Sequence, residues 1–142
     1  MLIAHILNEK GGDIYTVHDF DLMERVCHEL HAKRVGALVV VDHAGAIAGV
    51  ISERDIVREI ARRGCGILTQ PVATAMTRNV VTAAPSDTVD DALARMTDRR
   101  IRHLPVVVDG QLKGMVSIGD LVKIKISAVQ AEAEALRSYI CA

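Results

Sequence analysis

The sequence predicts an α+β (α/β-like) fold in which two pseudo-symmetric β-α-β-β-α repeats pack through their sheets. Two apolar hairpin patterns, at residues 37–51 and 103–116, each contain a glycine turn and each lead into a helix. The helix starts carry a matched polar pair, since Ser117 follows Ser52 by 65 residues and each serine precedes an aspartate by three positions. One such unit is too small to bury its own sheet, so two copies are expected to share a core.

The other elements follow the same order in both halves. Short runs of β-branched residues predict first strands at 14–17 and 80–82. Apolar positions three and four apart predict a helix capped by Asp19 that ends near Lys33, and a matching helix that opens at Pro85–Asp87 and ends near Arg99. Met23, Val26 and Leu30 then correspond to Val89, Ala92 and Met96 on the buried helix faces.

The predicted domains are residues 7–65 for the first repeat and 73–127 for the second, followed by a helical extension at 128–142. The last helix is expected to run from Ile118 close to Ala142. Its apolar residues step alternately by four and three, as in a heptad seam: Val122, Ile126, Val129, Ala133, Leu136 and Ile140. Two interpretations remain open, in which the stripe packs on its own domain or pairs with a second chain.

Composition excludes several classes of protein. The formal net charge of −1 lacks the basic footprint of a nucleic-acid binder, and three aromatic residues are too few for base stacking. We expect no membrane span and no signal peptide, because neither a long apolar run nor a basic leader is present. Cys27, Cys65 and Cys141 form no disulfide framework, which favours a reduced, cytoplasmic protein. Cys27 and His31 lack a second ligand cluster, so no metal site is expected.

The repeated Ser-x-x-Asp pairs have two interpretations. The first is a capping box, in which serine caps the helix and the carboxylate bonds back to the serine amide. The second is ligand binding, because a helix N-terminus attracts phosphate and a carboxylate can accept from both hydroxyls of a ribose. No paired nucleophile and base accompanies either copy, so no catalytic residue is predicted.

Together the hairpins, the segment RHLPVVVDG at 102–110 and the two Ser-x-x-Asp junctions resemble a tandem pair of CBS (cystathionine β-synthase) domains, also called a Bateman module. The resemblance covers about residues 7–127. It implies β-α-β-β-α repeats, clefts between them that bind adenosine-containing ligands, and disc-like homodimers.

The resemblance also implies roles for individual residues. Asp55 and Asp120 match the ribose-binding aspartate, and Ser52 and Ser117 match the hydroxyl near the phosphate. The full set of expected ligand-binding residues is Thr16, Ser52, Arg54, Asp55, Thr82, Arg102, His103, Leu104, Pro105, Ser117, Gly119 and Asp120. The second repeat has basic residues before Leu104 where the first has Gly36 and Ala37, so the two phosphate environments differ and either one or two sites can be occupied.

These observations predict a regulatory module without intrinsic catalysis that binds AMP, ATP or an NAD-type nucleotide and senses energy or redox state. A homodimer and a separate regulated protein partner are expected, with no nucleic-acid or membrane partner. The alternative is a structural dimerisation module whose ligand sites are vestigial.

Overall fold

The computed structural model describes residues 1–11 and 13–141 of the chain. Its elements, in chain order, are α1 (Ile3–Lys10), β1 (Thr16–His18), α2 (Met23–Lys33), β2 (Ala37–Val41), β3 (Ile47–Ser52), α3 (Glu53–Arg63), α4 (Val89–Arg99), β4 (His103–Val108), β5 (Gln111–Ser117) and α5 (Ile118–Cys141). Short 3-10 helices follow α3 at Cys65–Thr69 and Val72–Thr74. The predicted α+β class is confirmed.

The chain forms two compact units, one of Met1–Gly12 with Thr82–Ala142 (unit 1) and one of Asp13–Val81 (unit 2). In unit 2 the sheet order is β1-β2-β3, with β1 parallel to β2 and β2 antiparallel to β3. In unit 1, β4 and β5 form an antiparallel hairpin. Asp109 and Gly110 close that hairpin with φ of 51° and 77°, the left-handed pair that a tight two-residue turn requires. The predicted boundaries 7–65, 73–127 and 128–142 stay predictions.

Corresponding helix positions are buried in both units. Met23, Val26 and Leu30 on α2 face the core of unit 2, and the matching residues of α4, which are Val89, Ala92 and Met96, are also buried. The two helices also end alike, because Arg34 and Arg100 both adopt the left-handed conformation directly after the last turn. The repeat predicted from sequence is therefore a repeat of structure.

Each unit contains the segment that precedes the other repeat. In unit 2 the linker returns to β3, where the Thr77 amide donates to the Val50 carbonyl at 2.9 Å. In unit 1 the N-terminal segment lies against the turn before α4, and the Val89 amide donates to the Met1 carbonyl at 3.0 Å. Lys10 Nζ then donates to the carbonyl of Met115, the counterpart of Val50, at 2.9 Å.

The predicted strand at 80–82 is wrong. The second repeat retains only an isolated parallel bridge between Ala83 and Val106. In the first repeat Thr16 pairs with Val39, but the residue in the place of Val39 is Pro105, which has no amide proton to donate. Pro85 also lacks an amide proton, so the ladder cannot extend beyond Ala83 toward the C-terminus either.

Two predicted helix starts are also wrong. Asp19 does not cap α2, because its amide bonds to Val41 and the helix begins at Met23 after Leu22. The helix expected at Pro85–Asp87 begins at Val89 with Thr88 as its N-cap. Asp87 instead closes a turn by accepting from the Ala84 amide at 2.8 Å.

α5 confirms the predicted long final helix through Cys141, and Ala142 lies outside the described residues. The sequence also predicts a turn at Glu9–Asp13, of which Gly12 lies outside the described residues. None of the helices in the described part of the chain combines the length and hydrophobicity needed to cross a membrane.

Candidate functional site

Both Ser-x-x-Asp pairs form complete capping boxes. At the start of α3, the Asp55 amide donates to Ser52 Oγ at 3.2 Å and the Ser52 amide donates to Asp55 Oδ2 at 3.0 Å. At the start of α5, the Asp120 amide donates to Ser117 Oγ at 3.2 Å and the Ser117 amide donates to Asp120 Oδ2 at 2.9 Å. The capping interpretation is thus correct for both copies, and any ligand role must be added to it.

A third capping box bears on the specificity of this motif. Thr88 and Asp91 exchange the same two bonds at the start of α4, with distances of 3.0 and 3.4 Å. Sequence reasoning missed this box, although the Thr-x-x-Asp pattern is visible. Its presence shows that the motif alone does not identify a ligand site.

The Asp120 carboxylate also binds a lysine from a distant segment. Lys10 Nζ at the end of α1 donates to Asp120 Oδ2 at 2.7 Å, and the Asp120 side chain is 27% exposed. An ionised carboxylate has about four acceptor positions. The bonds from Lys10 and Ser117 therefore leave acceptor capacity for a further donor.

The Asp55 carboxylate is more enclosed. Its side chain is 11% exposed, and it accepts from the Ser52 amide, from Ser52 Oγ and from the Arg58 guanidinium one turn further along α3. With three donors in place, Asp55 has less capacity for a ribose diol than Asp120 has. Arg54, the basic residue expected to face a ligand, is exposed beside it.

Unit 1 brings its predicted residues together through the backbone. His103 pairs with Ser117 across the hairpin, and the Ile118 amide donates to the Arg102 carbonyl at 2.8 Å. Thr82 joins them because its neighbour Ala83 donates to the Pro105 carbonyl at 2.9 Å. The start of β4, the end of β5 and the first turn of α5 thus form one strand–helix junction.

The side chains around this junction differ in exposure. Leu104 and Pro105 are buried, His103, Ser117 and Asp120 are half-buried, and Thr82, Arg102 and Gly119 are exposed. The buried pair fixes the backbone, while the exposed residues border the junction.

Unit 2 repeats the layout with different side chains. Ala37 pairs with Ser52, the Glu53 amide donates to the Gly36 carbonyl at 3.0 Å, and exposed Thr16 pairs with Val39. The predicted residues Thr16, Ser52, Arg54 and Asp55 therefore lie at a second junction.

A wide depression of about 730 Å³ lies between the end of α2 and the start of α3 in unit 2. Leu30 and Val35 form part of its wall, and His31, Arg34 and Glu53 contribute polar groups. It borders the unit 2 junction through Gly36 and Glu53, but none of the twelve residues expected to bind a ligand lines it.

Within the described residues no group of three or more His, Cys, Asp or Glu side chains could hold a metal ion. Cys27, which the sequence does not place in a metal site, lies half-buried on α2, and burial raises the pKa of its thiol. A raised thiol pKa disfavours the thiolate that zinc would bind.

The ionisation of Asp120 depends on its partners. Burial alone would raise the pKa of this carboxyl, but the hydrogen bonds from Lys10 and Ser117 outweigh that effect and hold the pKa below its ordinary value of 3.8. A carboxyl whose pKa is lower in the folded chain than in the unfolded chain stabilises the fold at pH values above its pKa in the unfolded chain. That contribution is lost as the pH falls through its pKa in the folded chain.

We therefore predict a pH-dependent cost for Lys10→Met. The variant should lower the free energy of unfolding by up to roughly 1 kcal/mol near neutral pH, since Lys10 is half-exposed and its ion pair is screened. The difference from wild type should persist down to about pH 5 and shrink below about pH 4 as Asp120 is protonated. Urea unfolding at several pH values measures it, with Lys113→Met on β5 as the control. A difference that does not vary with pH would contradict the prediction.

The fold and the site place this protein in the class of tandem-repeat α+β proteins, in which each repeat has a capped strand–helix junction. The family model described as "CBS domain" matches the chain twice, at residues 5–62 and 72–127. The chain therefore belongs to the CBS domain family, as the sequence motifs indicated.

Individual relatives agree with this assignment. The chain is 42% identical over 146 residues to "CBS domain-containing protein CBSX3, mitochondrial" of Arabidopsis thaliana, a match that covers 97% of this chain and 71% of that protein. The crystal structure of the CBS-domain containing protein ATU1752 from Agrobacterium tumefaciens is 40% identical, with a TM-score of 0.85 over 87% of this chain and 92% of that one.

Two similar crystal structures are named with ligands. The CBS domain protein PAE2072 from Pyrobaculum aerophilum, complexed with AMP, is 28% identical, with a TM-score of 0.76 over 84% of this chain and 89% of that one. The CBS domain pair of protein MJ0100, in complex with 5′-methylthioadenosine and S-adenosyl-L-methionine, is 26% identical to this chain. Its TM-score is 0.80 over 90% of this chain and 98% of that one.

Proposed function

We propose that the chain is a regulatory module that binds an adenosine-containing ligand at its strand–helix junctions and has no catalytic activity of its own. The observation that carries the proposal is the junction of unit 1, where Thr82, the start of β4 and the Ser117–Asp120 turn lie together. Candidate ligands are AMP, ATP, an NAD-type dinucleotide, 5′-methylthioadenosine and S-adenosyl-L-methionine.

The chemistry of the neighbours' ligands supports a contact to the nucleoside. AMP, 5′-methylthioadenosine and S-adenosyl-L-methionine share adenine and ribose, but only AMP carries a phosphate. A site of this kind must recognise the nucleoside first. An ionised carboxylate such as Asp120 is suited to the two ribose hydroxyls, because charge-assisted hydrogen bonds are the strongest available.

Differences between the two junctions favour unit 1 as the stronger site. Asp120 is more exposed and carries fewer hydrogen bonds than Asp55. Gly119 presents no side chain at the start of α5, where Arg54 occupies the matching position on α3. Exposed Arg102 adds positive charge beside the same helix N-terminus, which suits a phosphate when the ligand carries one.

A structural dimerisation module with vestigial ligand sites is the second candidate. The observation in its favour is that both Ser-x-x-Asp pairs are satisfied as capping boxes without a ligand. In either case a homodimer, a regulated protein partner and a cytoplasmic location belong to the proposal. The absence of a nucleic-acid partner also belongs to it and is supported by the near-zero net charge.

A thermal-shift measurement separates the two candidates. A ligand at a hundred times its Kd adds about 2.7 kcal/mol to the stability of the folded chain, which should raise Tm by roughly 5–10 °C. AMP, ATP, NAD, 5′-methylthioadenosine and S-adenosyl-L-methionine are the test compounds, with GMP and CMP as controls. Mass spectrometry of small molecules released from the purified protein identifies a ligand that was carried through purification. No shift with any adenosine compound would favour the structural module.

A further inference from the structure

The second half of α5 extends beyond the family fold. The CBS domain match ends at residue 127, whereas α5 continues to Cys141. Every described residue from 125 to 141 is exposed, so this part of the helix does not bury its apolar stripe against its own chain. Along the stripe, Ile126 is 53% exposed, Leu136 is 60% exposed and Ile140 is 73% exposed. An apolar surface of this kind normally has a partner.

We propose that the partner is α5 of a second copy of this chain, in a parallel two-stranded coiled coil. The alternating steps of four and three place Ile126, Ala133 and Ile140 at a positions, and Val122, Val129 and Leu136 at d positions. Isoleucine at two of the three a positions and leucine at one d position, Leu136, fit the pattern that favours two strands in parallel, while the other two d positions are valine. The face opposite the seam is lined by small residues, among them Ala128, Ala131, Ala135 and Ser138, and offers no second apolar stripe of comparable size.

The charged residues beside the seam select the parallel orientation. In a parallel pair, Glu132 at g lies opposite Arg137 at e of the other copy. The two-fold symmetry of the dimer gives two such ion pairs. An antiparallel pair with the same core would place Glu132 opposite Glu132 and Lys123 opposite Arg137. Like charges in contact disfavour that arrangement.

The folded unit offsets the short length of the seam. Between Val122 and Ile140 there are fewer than three heptads, which is short for a free coiled coil. The first turn of α5 is already fixed, because Leu121 is fully buried and Lys125 Nζ binds Asp90 Oδ1 of α4 at 2.8 Å. Helix nucleation is the costly step, and here the unit itself supplies the nucleus.

Cysteine cross-linking of the full chain tests the interface and its orientation. In a chain whose exposed Cys65 and Cys141 are replaced by serine, Ala133→Cys places two thiols in one layer of the parallel pair. Disulfide geometry is specific, so under mild oxidation this variant should form roughly tenfold more covalent dimer than Ala135→Cys, which faces away from the seam. Light scattering coupled to gel filtration should give the mass of two chains.

A seam variant completes the test. Val129→Lys combined with Leu136→Lys changes only exposed side chains, so the units should stay folded, which the circular dichroism spectrum checks. The double substitution should abolish the Ala133→Cys cross-link. Equal cross-linking of Ala133→Cys and Ala135→Cys, or a monomeric mass for the unmodified chain, would overturn the proposal. Cross-linking only in a mixture of Val129→Cys and Ala133→Cys chains would show an antiparallel pair and would overturn it as well.

Discussion

Asp120→Ala is expected to weaken AMP binding by roughly ten- to hundredfold. The substitution removes the carboxylate proposed to accept from the ribose hydroxyls, and hydrogen bonds to a charged group contribute about 1.5–3 kcal/mol. Isothermal titration calorimetry with AMP measures the loss. An unchanged affinity would reject Asp120 as the ribose acceptor, although the capping box would still explain its presence.

Two control variants separate binding from folding. Asp91→Ala removes the carboxylate of the α4 capping box, which has the same geometry but no proposed ligand role, so AMP affinity should stay within about twofold of wild type. Lys10→Met removes the ion pair and leaves the Asp120 carboxylate in place. If Asp120→Ala and Asp91→Ala lose affinity equally, the loss reflects helix capping and the ligand role fails.

Gly49→Ala is expected to lower the free energy of unfolding by roughly 1–3 kcal/mol. A Cβ at this position would lie 2.7 Å from the Thr77 carbonyl oxygen and 2.8 Å from Met76 sulfur. Thr77 is bridged to Val50 by two backbone hydrogen bonds, so the clash can be relieved only if the returning linker moves off β3. Urea denaturation followed by circular dichroism measures the effect.

The matched substitution in unit 1 is Gly114→Ala. Its Cβ would also meet an atom at 2.7 Å, but that atom is the terminal Cδ2 of Leu7, a side chain that can rotate. The expected cost is below about 1 kcal/mol. A larger loss for Gly114→Ala than for Gly49→Ala would show that α1 is held more rigidly than the linker, contrary to this reasoning.

Local patterns in the sequence predicted most of the fold. The apolar spacing of α2 and α4, the Asp109–Gly110 turn and the serine caps of α3 and α5 are each decided within a few residues, where hydrophobic periodicity and turn chemistry are strong signals. The strand expected at 80–82 failed because its outcome depends on Pro105, a residue more than twenty positions away that removes the donor it needs.

The bonds within the Ser117–Asp120 pair of the candidate site were predictable, but its contact with Lys10 was not. Ser117 and Asp120 are three residues apart, so their mutual bonds follow from the helix start itself. Lys10 reaches Asp120 across 110 positions, and no spacing rule connects them. Local spacing therefore predicted the capping role of Asp120 but not its ion pair with Lys10.

The exchange of leading segments between the repeats has a consequence for the order of folding. Unit 2 is continuous in the chain, so it can complete its contacts as soon as its own residues have left the ribosome. Unit 2 separates the two segments of unit 1 in the sequence. The contacts of α1 with β5 and α5 can therefore form only after those last elements have been synthesised. Such non-local closure is slow. A nascent chain arrested once Val81 has left the ribosome should thus hold one finished unit and one unpaired amphipathic helix.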